Sequence, residues 1–474
     1  MNLHIKYQPV LSAVALAIAL LPYTPAHADS LNLTQEETLS PPLSFNECVE
    51  IALKQNFDLI SSRAQIDQAQ SGLDQAQANR MPKLTASINA MGSNDAMNAF
   101  GMKLSQRTAT FNDFGANQFD PNNLNVAPTS LNYPGFVTNV NTRLEVQIPV
   151  YTGGMISNGI KQAQAYIKAA RNGDIAARQQ VIFHVLQAYQ GVHTARAYLV
   201  VSKQAEAAAD SQVNMMEKLV KGGVIVKSDL LSGQVRLQDI RIQRMQAENA
   251  VSNALDQLHL LLGMPLTAPL NVGASVDIKP TTMTTEALRQ TAIANNPGVN
   301  ALRQQVEASA ANIGMAKAAY KPQVGLMLRQ DWNDPTLGFS ANSYTVGGTV
   351  SWTAFDGGVT SAGVARARAA QTAITAKLAQ AEAGVAYQVE DARRKASEAE
   401  QRLSARHLGE EQATEAASLV NKRYINGVAT ITEQLAAQAQ LDKARADVVA
   451  AEYDVAIQRA NLKLVLGQLE AEQL

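Results

Sequence analysis

Cysteine is almost absent from this chain, which carries one, Cys48, in 474 residues. A lone thiol excludes an intrachain disulfide framework. Asn46-Glu47 precedes it where a lipidated cysteine has small apolar residues, so no lipid anchor is expected. Charge imbalance is missing too: a net charge of -1 leaves no basic face for nucleic acid. Long hydrophobic runs are also lacking. The longest, Val10 to Leu21, is about 12 residues against the roughly 20 that a spanning helix requires. Outside the first 28 residues histidine is confined to His184, His193, His259 and His407, with no His-x-x-His or His-x-x-x-His spacing, so no metal centre is expected. There is no Gly-x-Ser-x-Gly, phosphate loop or dinucleotide glycine pattern. Nothing in the chain reads as an enzyme, and no cofactor is implied.

Lys6, the apolar run and then Ala26-His27-Ala28 read as a cleaved secretory signal peptide, residues 1–28, with a mature chain starting near Asp29. Beyond it the chain is written twice. Leu53, Asn56, Ala76, Ala78 and Pro82 recur 240 residues later as Ile293, Asn296, Ala316, Ala318 and Pro322. Further on, Tyr151-Thr152-Gly153-Gly154 returns as Phe355-Asp356-Gly357-Gly358, and Leu261-Leu262-Gly263 as Val465-Leu466-Gly467, at a spacing of 204. The fall from 240 to 204 leaves 36 extra residues in the first copy, between Pro82 and Tyr151. The expected units are residues 29–280 and 281–474, two equivalent halves of one fold rather than solenoid repeats.

Each half carries the same punctuation. Ser44 and Glu47 form a capping box, Asn56 and Asn296 cap second helices, and Pro82 and Pro322 end them. After each proline the period changes to two, which predicts strands at about 83–92, 137–150, 323–332 and 343–355, with a long polar loop at 93–136. Strands of roughly 10 residues suit a tilted crossing of a bilayer. Two hairpins packed on a soluble core are the other reading of the same pattern. Tyr151, Trp332, Tyr344, Trp352 and Phe355 are the aromatics expected at the membrane interfaces. Gly153, Gly154, Gly357 and Gly358 end the strands and return the chain to helix. Proline-free, Ala- and Gln-rich stretches of some 60 residues then predict rods on the order of 90 Å long. The rods turn at 221–227, through Gly222 and Gly223, and at 425–429, through Gly427, and shorter helices return. Asp229 and Glu433 hold the same repeat position one turn into those return helices. An acid there supports the helix dipole whether or not it also faces a pore.

A four-stranded sheet cannot span lipid with open edges. The duplication, the long Ala/Gln helices, the strand-ending Gly-Gly turns and the Leu-Leu-Leu-Gly and Leu-Val-Leu-Gly ends resemble the TolC family of outer-membrane efflux channels, over almost the whole mature chain. Phe100-Gly101-Met102-Lys103-Leu104-Ser105-Gln106-Arg107, with Asp113-Phe114 and Asn123-Leu124-Asn125, resembles the first external loop of many members. The resemblance implies a mainly α chain with a transmembrane β-barrel part. Three copies would complete a twelve-stranded barrel in outer-membrane lipid above a helical periplasmic tunnel. It implies an exit duct for a tripartite efflux or secretion system, docking a periplasmic adaptor (membrane fusion protein) and an inner-membrane pump. Tyr424, Glu433 and Asp229 fall on its gate positions, whereas a gate arginine and a second acid are replaced by Ala429 and Ala436. A secreted coiled-coil adhesin or scaffold is the alternative, and it leaves the one-sided apolar strands unexplained.

Overall fold

The computed structural model describes residues 42–470. The signal-peptide reading and the start of the mature chain fall outside the described residues. In the first half, α1 (Phe45–Gln55) and α2 (Phe57–Ala78) precede β1 (Lys83–Ser93), α3 (Ala96–Ser105), α4 (Thr129–Asn132) and β2 (Val137–Tyr151). The rod α5 (Met155–Lys221) and its return α6 (Lys227–Leu262) complete it. The second half repeats the order with α7 (Thr285–Asn295), α8 (Pro297–Ala318), β3 (Gln323–Asp334), β4 (Asn342–Ser351), α9 (Val359–Ile425) and α10 (Ile431–Val465). Helix dominates.

The caps explain the helix starts. Ser44 and Glu47 bond reciprocally at the head of α1. Asn56 ends α1 and begins α2, accepting from the Asp58 N–H at 2.9 Å, and its Nδ2 donates to the Leu261 carbonyl at 3.0 Å, which ties the α1–α2 corner to the end of α6. Asn296 caps α8 in the same way, with Pro297 at the first helical position, where a missing N–H is harmless. The two rods have 67 residues each, about 100 Å at ~1.5 Å per residue.

The duplication is repeated in contact detail. Gly263, at φ +70°, sits so close to α1 that a Cβ would lie 2.9 Å from the Gln55 carbonyl oxygen; Gly467, at φ +68°, stands 2.8 Å from that of Asn295. Gly263 and Gly467 are one repeat position, Gln55 and Asn295 another. A side chain would break the turn and the contact together.

Both halves pack around the middle of the rods. In the first, Phe45, Val49 and Ala52 of α1 meet Val185, Leu186 and Tyr189 of α5 and Leu258 and Leu262 of α6. The connection after α6 is part of this core: Val272 and Ile278 are buried, and Leu43 bridges to Val272. In the second, Leu288 and Ala292 of α7 meet Val385, Val389 and Ala392 of α9 and Leu462 of α10. Each fully buried large apolar side chain contributes about 1.5–3 kcal/mol. Burial pushes the Cys48 thiol up to about 11, so it stays protonated within this core.

The four strands form one antiparallel sheet in the order β1-β2-β3-β4, so β2–β3 pairing joins the two copies. Among the described residues the outer edges of β1 and β4 have no partner. β4 ends at Ser351, four residues short of the expected 343–355 strand. Ser351 pairs with Gln323, and the residue before that on β3's chain is Pro322, which has no N–H to extend the ladder. Trp352 and Phe355 therefore lie beyond the sheet, and the Trp352 indole donates to the Tyr320 carbonyl at 3.1 Å. The 93–136 loop is not plain coil either: α3, α4 and two 3-10 turns fill it.

Candidate functional site

Two places concentrate function-bearing geometry: the two faces of the sheet and the turns of the two rods.

Register sorts the sheet cleanly. Leu84, Val146, Leu328 and Val346 stand abreast on one face, as do Ala86, Leu144, Gln330 and Tyr344. Large side chains on this face are open: Leu84 is 67% exposed, Val346 69% and Tyr344 82%. A face this apolar and this uncovered marks contact with something other than water. Trp332, packed edge-on against Phe339, and Tyr344 stand at the loop end; Tyr151, Trp352 and Phe355 stand at the rod end. The stretch from Val324, opposite Tyr151, to Trp332 is on the order of 25 Å along the strand, the height of a barrel's lipid-facing band.

The other face is polar. Asp331, only 5% exposed, accepts from Arg143 Nε at 2.7 Å and Asn141 Nδ2 at 3.1 Å and pairs with Arg329 at 2.8 Å. Asn141 and Asn139 also donate to Asn333 Oδ1. The alternation of the sequence puts these residues on one side without showing that they bond to one another between β2 and β3.

At the rod turns, Gly223 and Gly427 take φ +73° and +72°, and each turn closes by the same pair of backbone bonds: Gly223 and Val224 donate to Val220 and Leu219, Gly427 and Val428 to Tyr424 and Arg423. Gly222 has φ −80° and is not conformationally required. The paired glycines at the other end of the rods are, with Gly153 and Gly154 at +66° and +97° and Gly357 and Gly358 at +64° and +95°.

The two acids part company here. Glu433 is tied down: Thr430 caps α10 by accepting its N–H at 3.2 Å, and Arg423 lies 4.0 Å from its carboxylate. In the first copy Val226 occupies the cap position and offers no hydroxyl. Tyr424, 8% exposed and with its hydroxyl unbonded, has its pKa raised by burial and then by the charge of Asp229. The charge of Asp229 thus reaches Tyr424 on the other hairpin, while Glu433 pairs within its own.

Sequence reasoning gave no role to the rest of this seam. Gln212 of α5 donates to Gln434 of α10, which is 6% exposed, and Arg236 of α6 stands 3.9 Å from Asp442 of α10. Burial raises the Asp442 pKa despite the Gln438 amide and the Arg236 and Arg445 charges. In a helix so rich in Gln no local pattern distinguishes Gln434; only the packing of α5 on α10 does. Arg423 was legible as a neighbour of Tyr424, and the hairpin register is what sets it opposite Glu433.

Among the described residues no helix is long and apolar enough to cross a membrane, and no three His, Cys, Asp or Glu side chains are grouped to hold a metal ion.

A family model described as outer membrane efflux protein matches residues 48–264 and 288–468. The alkaline protease secretion protein AprF of Pseudomonas aeruginosa is 23% identical over 305 residues, 62% of this chain and 63% of AprF. Outer membrane protein TolC of Escherichia coli is 22% identical over 253 residues, 51% of this chain and 47% of TolC. The chain therefore spans less than two thirds of the length of either. The crystal structure of the Campylobacter jejuni CmeC outer membrane channel superposes with a TM-score of 0.73 at 16% identity, covering 95% of this chain and 94% of that one, and so shares the fold.

Proposed function

The chain belongs to the outer membrane efflux protein family, and on that premise we propose that three copies close their sheets into one twelve-stranded outer-membrane barrel continued by a helical tunnel. The duct carries substrates outward from an inner-membrane pump and a periplasmic adaptor. The observation that carries this reading is the sheet itself, with open edges at β1 and β4 and a bare apolar face. Unpaired backbone groups in lipid cost several kcal/mol each, so the sheet must close with other copies. In the closed barrel the polar face lined by Arg143, Arg329 and Asp331 becomes the lumen wall. A type I secretion duct and a small-molecule efflux duct share all of these features. The relative AprF bears a secretion name, which favours protein export among the cargoes to test first.

The tunnel end is the constriction in this reading. Gln212 against Gln434 and Arg236 against Asp442 hold the two hairpins of each chain together, and their release widens the mouth. The test is extraction from outer membranes in mild detergent, with mass by light scattering and conductance in planar bilayers. A trimer that conducts, and prefers cations because carboxylates surround the mouth, is expected. A conducting monomer would overturn the closure argument.

A further inference from the structure

The segment between β1 and β2 does not stand clear of the sheet. Gln106, just past the end of α3 and 7% exposed, donates through Nε2 to the Thr138 carbonyl at 2.6 Å and to Asn139 Oδ1 at 3.0 Å. Asn139 belongs to the polar face, where it donates to Asn333 and so joins the network of Asn141, Arg143 and Asp331. Ala99 and Met102 of α3 are buried at 0% and 6% exposure. Arg107, at φ +58°, reaches past the whole sheet to the Asn342 carbonyl at the start of β4.

The fold-back is built from within. Phe100 packs edge-on against Phe114 with centroids 4.7 Å apart, and Lys103 pairs with Asp113 at 2.5 Å. The Lys103 bond, then those from Thr110, hold the Asp113 carboxyl down to about 2, so the clasp stays ionised at any physiological pH.

We infer that α3 and its clasp form a second, size-selecting constriction at the loop end of the barrel, with Gln106 as the residue that positions it. Resting on the trimeric channel reading, this places three copies of α3 around the mouth opposite the helical tip. Cargo that has passed the tip meets Met97 and Leu104, exposed on α3, before it leaves. The constriction selects on girth and not on charge, because the charged groups beneath it are already paired.

Thiol accessibility on intact cells tests this. Thr85→Cys sits on the polar face of β1, rodward of the Gln106 contact, and Val346→Cys on the apolar face of β4. Thr85→Cys is expected to react with a small charged maleimide and many-fold more slowly with a polyethylene-glycol maleimide of a few kilodaltons. Gln106→Ala with Arg107→Gly should raise the large reagent's rate to that of the small one; replacing residues 96–132 by a short turn is a second route to the same opening. Equal rates for the two reagents before any loop change, or no gain from either loop variant, would overturn the constriction. Val346→Cys should stay unreactive in lipid. If it reacts as fast as Thr85→Cys, the barrel reading itself fails, and that result is distinct from failure of the constriction alone.

Discussion

The two helical hairpins share a length, a turn and a capping scheme, yet they are held together by different means. Near its tip the α5–α6 hairpin packs Ala209 and Val213 against Leu237 and Ile240, with the buried Met216 set over Gly233. The α9–α10 hairpin has Ala413 and Ala417 against Leu441 and Ala444. Its ion pairs are spread along it, at Arg459–Glu400, Arg402–Asp454, Arg406–Asp447 and Arg445–Glu410, whereas those of the first gather at Arg241 and Arg244 on Glu206 and Asp210. Even the closest approach is solved twice. Gly233 leaves room for Met216, whose sulfur would lie 2.7 Å from an added Cβ, whereas the equivalent positions of the second copy are Ala437 and Val420. Duplicated backbones constrain the turns tightly and the contact chemistry between helices only by total volume.

The largest effect should come from emptying the apolar hairpin. Met216→Ala removes a fully buried side chain and should lower the local opening free energy of α5–α6 by about 2–5 kcal/mol, read as faster amide exchange there. The half-buried Val420→Ala should change α9–α10 far less. Equal effects would mean that the two hairpins are not differently built.

Next is the seam between them. The folded pKa of Asp442 is raised by burial, so its contribution is fully present below the unfolded carboxyl range and is lost as pH rises through the folded value. Acidification from neutral pH toward that value should therefore slow exchange along α10 near Asp442, after correction for intrinsic rates. Asp442→Asn should give the slow behaviour at every pH. A pH response surviving in that variant would remove Asp442 from the account.

Ion selectivity sharpens the contrast at the tips. Arg423 partly neutralises Glu433, while among the described residues Asp229 has no ion pair. In planar bilayers Asp229→Ala should reduce cation preference more than Glu433→Ala, with trimer yield unchanged, since each helix start loses only about 0.3–1 kcal/mol. The reverse order would make Glu433 the pore-facing acid.

The smallest effect belongs to the ion pairs. Arg402→Gln should destabilise α9–α10 by under about 1 kcal/mol, and high salt should loosen this hairpin more than α5–α6. Equal salt responses would show that the pairs contribute nothing distinctive.

Most of the fold was written in local signals. Pro82 and Pro322, the Gly-Gly turns and the change of period from 3.6 to 2 sufficed for a mainly helical chain with four strands, because each acts through its own backbone. The end of β4 was misjudged because it depends on where its partner's N–H groups begin. The fold-back of α3 was invisible for the same reason: Gln106 is an ordinary polar residue until Asn139 is brought beneath it. At the tips, Asp229 and Glu433 look equivalent in sequence. What separates them is a threonine against a valine three residues earlier, and a tyrosine contributed by the other half of the chain.

The collar of buried side chains at mid-rod gives the hairpins a mechanical character. In both copies it grips the rod at equivalent stations, Val181 to Val192 in α5 and Val385 to Ala392 in α9. From Val192 to the turn at Gly222 the rod runs free of the collar for some 30 residues, a lever arm of about 45 Å. With the collar as fulcrum, a swing of ~5° displaces the far end by about 4 Å, comparable to the width of a side chain, while the sheet end need barely stir. In the proposed channel, that geometry would turn a small push at the turn into a change of aperture.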